Sequence, residues 1–154
     1  MRGVSPRDRY GRPLPRGSRD ELARDGVPEQ TVGSAREAWR RGIALFDERR
    51  FFEAHELFEY AWNADDVDDR DRPFWKGVTQ VAVGCCHAQR GNARGALALL
   101  ERGASQLQRF PTPHWGVDTA ALVSVARQVA DQVRRRGASA DLGFPEFPTD
   151  SRAR

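Results

Sequence analysis

Residues 51–62, FFEAHELFEYAW, set one histidine and three glutamates among aromatic and aliphatic side chains at helical spacing. At about 100° per residue, Phe51, Ala54, Phe58, Ala61 and Trp62 share one arc. His55 falls at the edge of that arc, between Phe51 and Trp62. Glu59 follows one turn later on the same side, an i,i+4 neighbour. A carboxylate beside an imidazole raises its basicity and settles its tautomer, so the pair has the parts of an acid–base device. Glu56 lies farther round the helix, and Glu53 and Tyr60 fall on the opposite face.

A second stripe runs through 74–89, FWKGVTQVAVGCCHAQ, where Gly77, Gln80, Gly84 and His87 recur at spacings of three, four and three. The glycines leave room for a neighbouring helix or a ligand. Gln80 and His87 are the polar exceptions in an apolar helix, and a polar group buried without a partner costs about 1–3 kcal/mol. The partners at hand are His55, Glu56 and Glu59. The expectation is therefore that the second and third helices pack with Gly84 near their contact. His55 and Glu59 would then face Gln80 or His87 across it.

This makes His55, Glu56, Glu59 and His87 the candidate catalytic residues, with Gln80 as a candidate ligand contact. The same cluster would serve equally as a polar network that sets helix register. Two histidines and two carboxylates are also donors that zinc or iron accepts. However, the chain has no His-Glu-x-x-His, and its second helix has no Glu-x-x-His, so no metal ligands are assigned. No cofactor is assigned either. His114, in PTPHWG, reads as a loop histidine. Cys85 and Cys86 are neighbours on a helix, about 100° apart, and read as buried, reduced thiols.

The elements that must position these residues are helical. Ser34 can cap a first helix, with Glu37 completing a capping box, and that helix runs to about Arg49. The second spans about 51–64, and an acidic loop follows. Asp71 can cap the third, with Pro73 in its first turn; this helix is apolar on most sides and should be central. Gly91 ends it. Asn92 can cap a fourth that stops before Pro111, and Asp118 a fifth that ends at Gly137 with a basic last turn. No segment alternates with period two over enough length to make a strand.

An internal echo repeats at 42 residues: Gly42 with Gly84, Ala54 with Ala96, Leu57 with Leu99, Phe58 with Leu100, Glu59 with Glu101. Its spacing resembles the tetratricopeptide hairpin, in which small residues let paired helices approach closely, although that family's period is about 34. The expected fold is all-α: two antiparallel helical hairpins plus a C-terminal helix over 31–137. Residues 1–30, rich in Arg, Pro, Gly and Asp, read as an irregular arm, and 138–154 as an irregular tail whose Phe144 and Phe147 can dock on the domain.

Charged residues make up 31% of the 154 residues and hydrophobic ones 39%, enough for one domain with a real core. No apolar run approaches the roughly 20 residues of a membrane span. The first residues lack the apolar segment of a secretory signal, so a cytoplasmic protein is expected. Of 25 basic residues only Lys76 is a lysine. That bias fits a GC-rich genome better than a binding surface. Acidic residues interleave with the arginines almost everywhere, which argues against nucleic acid as a partner.

The motifs also carry a resemblance. FFEAHELFEYAW, followed by FWKGVTQVAVGCCHAQRGNARGALALLERG, resembles the bacterial and archaeal family called Domain of Unknown Function 309 over about residues 38–103. Its pattern is met by Glu53, His55, Glu56, Glu59 and Trp62, then Gly77, Gln80 and His87, then Gly91, Asn92, Gly95 and Ala96. The resemblance implies an all-helical fold and singles out the same polar cluster. It adds Glu53 and Trp62 to Gln80 as ligand contacts, and it supplies no reaction. Two classes of function follow. One is a small enzyme or ligand-binding protein working through the His55 cluster on a small molecule. The other is a helical interaction module whose groove binds a peptide, a partner protein or a second copy of the chain.

Overall fold

A computed structural model describes residues 33–150; the arm expected over 1–30 lies outside the described residues, as do residues 151–154. Among the described residues there are five α-helices and no strand: α1 (Ala35–Asp47), α2 (Phe51–Asn63), α3 (Arg72–Gln89), α4 (Ala93–Leu107) and α5 (Thr119–Arg136). None of these helices is long and apolar enough to cross a membrane.

The local signals act much as read. Ser34 Oγ accepts the Glu37 N–H at 3.1 Å, while the Glu37 carboxylate reaches past the cap to accept from Gly33 N–H at 3.0 Å. Asn92 caps α4 through Gly95 N–H, and Asp118 caps α5 through Ala121 N–H. These side chains satisfy amide donors that a first helical turn leaves without partners. Asp71 behaves differently. It stands at the start of α3 but makes no capping bond. Its Oδ1 instead accepts from His114 Nε2 at 2.9 Å. His114 does lie in a loop, wedged against the rings of Phe74 and Phe110, and the pair ties that loop to the head of α3.

The helices pack in chain order, each against the next. The 42-residue echo is a repeated contact. A Cβ on Gly42 would meet the Phe58 ring at 2.6 Å, and a Cβ on Gly84 would meet Leu100 Cγ at 2.7 Å. Gly42 with Phe58 closes the α1–α2 hairpin; Gly84 with Leu100 closes α3–α4. Gly84 therefore belongs to the contact with α4, where its nearest neighbours all come from Leu100, and not to the α2–α3 contact where it was expected. The reason is that α3 carries two packing faces, and its glycine stripe is the one the returning hairpin helix fills.

α3 is the central helix, with 12 of its 18 residues buried. Around it Phe46, Phe51, Phe58, Phe74, Trp75, Leu100, Leu107 and Leu122 form one core. The segment after α5 is irregular, yet it is part of that core. Phe144 and Phe147 are buried, against Phe51 and against Phe46 and Phe58 respectively. Phe147 N–H donates to Asp47 Oδ1 at 2.7 Å, and Arg49 Nη1 donates to the Phe144 carbonyl at 2.7 Å. The tail thus straps α5 to the α1–α2 hairpin.

Candidate functional site

α2 positions the histidine through its own backbone. His55 Nδ1 donates to the Phe52 carbonyl one turn back, in a short contact. With Nδ1 committed to a carbonyl, Nε2 is the nitrogen that exchanges a proton. Nε2 lies 3.9 Å from Glu59 Oε2. The His55 side chain is 19% exposed and that of Glu59 53%, so the pair sits at the margin of the core with one member wet. His55, Glu56 and Glu59 line one depression of about 430 Å³, with Phe52, Tyr60 and Asn63. Every one of those residues belongs to α2, so among the described residues the wall is a single helix face.

The other candidates lie elsewhere. Gln80 lines a separate depression between α3 and α4. His87, near the end of α3, accepts at Nδ1 from Arg90 Nη2 at 2.9 Å and from Asn92 Nδ2 at 3.2 Å. Burial, with Arg90 adding to it, holds His87 below its ordinary pKa, so the ring acts as a neutral acceptor joining α3 to the cap of α4. Trp62 sits at the other end of α2, with the Lys76 ammonium 5.8 Å from its ring centroid.

Glu53 requires a correction. It was read on the face opposite the core arc, but it is 4% exposed. Its carboxylate accepts from Arg50 Nε at 2.8 Å. α2 packs against both α1 and α3, and its buried residues are Phe51, Glu53, Ala54, Leu57, Phe58 and Ala61. A buried carboxylate needs a paired charge, and Arg50 supplies it. Lys76 and Arg102, which no sequence motif marks, also line the Gln80 depression. The signal available was the solitary lysine of an arginine-rich chain.

Among the described residues, no three His, Cys, Asp or Glu side chains are grouped closely enough to hold a metal ion. Cys85 and Cys86 are both buried and unbridged.

Two helical hairpins capped by a fifth helix around one apolar core, with a histidine–glutamate pair on α2 at the margin of that core, define a small all-helical protein. Residues 39–99 match the model of the family described as Domain of unknown function (DUF309), so the resemblance carried by the Glu-Ala-His-Glu helix and the Gly-x-x-Gln helix is borne out. The chain is also similar to the "Uncharacterized protein YpuF" of Bacillus subtilis (strain 168), 30% identical over 99 residues. That alignment takes in 63% of this chain and 56% of the relative's length.

Proposed function

We propose that this is a helical ligand-binding protein whose working group is the His55–Glu59 pair on α2. The carrying observation is that pair's geometry: one ring nitrogen committed to the Phe52 carbonyl, the other 3.9 Å from a carboxylate, in an open depression of about 430 Å³. With Glu56 beside them the face is acidic when His55 is neutral and suits a ligand with a cationic or hydrogen-bond-donating group. Among the described residues the wall is a single helix, and the Glu59 side chain is half exposed, which favours reversible recognition. Catalysis draws most of its power from charges set in a water-excluded site.

The interaction-module reading shares this surface: the ligand is then a basic side chain of a peptide or protein partner. The acid–base reading also keeps His55 and Glu59 but gives His87 no part, because His87 is engaged with Arg90 and Asn92. A cytoplasmic setting goes with the proposal, supported by two buried thiols that form no disulfide. A bacterial or archaeal source is supported by the Bacillus subtilis relative.

The test is a thermal-shift screen of cationic metabolites and basic peptides against wild type, His55→Gln and Glu59→Gln. Ligands that stabilise wild type and lose their effect in both variants, with the fold of each intact by circular dichroism, support the reading. A purely structural role predicts a different result: no ligand discriminates, and His55→Ala destabilises the unliganded domain by about 1–3 kcal/mol.

A further inference from the structure

The depression between α3 and α4 is distinct from the α2 face. The two helices come close where Gly103 meets α3: a Cβ there would stand 2.8 Å from Val81 Cγ2 and 3.0 Å from the Gly77 carbonyl oxygen. The residues immediately before these two glycines are Lys76 and Arg102. Close approach of the backbones therefore brings one cation from each helix to the same rim. Both are exposed, and both line a depression of about 500 Å³ together with Gln80, Glu101, Ser105 and Gln106.

The cations are available to a ligand. Among the described residues, neither Lys76 nor Arg102 pairs with a carboxylate. Lys76 is held from one side by the face of Trp62. A ring face attracts an ammonium without consuming its three N–H donors. The two carboxamides and the Ser105 hydroxyl add neutral donors. Among the described residues of the lining, Glu101 is the one carboxylate on the rim, so their formal charge is +1. That balance favours a singly charged anion over a dianion, and it leaves Glu101 to accept from a donor on the same ligand.

We propose that this depression binds a small ligand bearing one carboxylate, held between Lys76 and Arg102, with an ammonium or other donor group turned toward Glu101. The site is independent of the His55 reading and survives its failure.

Titration of the full chain with glycine, acetate and inorganic phosphate at constant ionic strength, followed by amide NMR, tests it. The expected result is saturable shifts of the Gln80 and Gln106 side-chain amides, with glycine binding more tightly than acetate or phosphate. Losing one charge-assisted contact should weaken binding about tenfold, so Lys76→Gln and Arg102→Gln each do so. His55→Gln leaves it unchanged, and Glu101→Gln removes the preference for glycine over acetate. The proposal is overturned by shifts that chloride alone reproduces, by phosphate binding more tightly than glycine, or by Lys76→Gln and Arg102→Gln variants that bind as wild type does.

Discussion

Leu100 fills the space that a side chain on Gly84 would occupy: its Cγ, Cδ2 and backbone nitrogen lie 2.7, 2.8 and 3.0 Å from where the Cβ would stand. The contact repeats Gly42 with Phe58, 42 residues earlier. Gly84→Ala should therefore destabilise the domain. Alanine recovers about 1 kcal/mol of helix propensity, but overpacking costs about 1–3 kcal/mol, and a backbone nitrogen cannot swing aside as a side-chain end can. Urea denaturation of Gly84→Ala, Leu100→Ala and the double variant measures this. The double variant should lose less than the sum of the singles, because the smaller residue at 100 makes room for the new methyl. Strict additivity would show that the contact is not tight.

The strap after α5 should be worth as much as a core helix contact. Phe147 is 5% exposed and lies edge-on to Phe46 at 5.4 Å. Truncating a buried phenylalanine costs about 3–5 kcal/mol, so Phe147→Ala should lower the melting temperature sharply in a calorimetric scan. Glu146→Ala, at the exposed neighbour, should leave it nearly unchanged.

Thiol chemistry reports on the centre of α3. Burial pushes the Cys85 thiol far above its usual pKa, with Cys86 beside it adding to the shift. The thiolate is the reactive form, so the native protein should resist thiol-directed reagents at neutral pH. Titration with Ellman's reagent is expected to find no fast-reacting thiol in the folded chain and two in denaturant. Rapid labelling of Cys85 in buffer would contradict the packing of α3.

Acidification should weaken the fold through His87. Its pKa is lowered from the ordinary 6.5 chiefly by burial. Near and below 6.5 the unfolded chain then binds more protons than the folded one, so stability falls as pH drops. The contribution is fully present above that value and is lost as pH falls through the lower folded-state value. His87→Gln removes this titration. The difference in melting temperature between pH 7.5 and pH 5 should be smaller in the variant than in wild type; an equal difference would place the acid sensitivity elsewhere.

The amino-acid sequence by itself determined the helices, three of their N-caps and the existence of two matched hairpins. Ser34, Asn92 and Asp118 act within a few residues of themselves, and the Gly42 and Gly84 repeat needs only helical periodicity and small size. It also determined that His55 and Glu59 are neighbours, because i,i+4 spacing on a helix guarantees it. Only the tertiary structure decided which faces meet. A helical wheel shows that Gly84 is small, but not whether α2 or α4 fills the gap. It ranks Glu53 as outward, whereas in the fold its side chain is buried and paired with Arg50. Asp71 is a good cap by type, and only the loop brought round from residue 114 draws its carboxylate away. Lys76 and Arg102 are 26 residues apart and share a rim because two glycines let two backbones touch. Local patterns are set by bonds along the chain, whereas the choice of partner is set by the summed packing of the whole core, which no single segment contains.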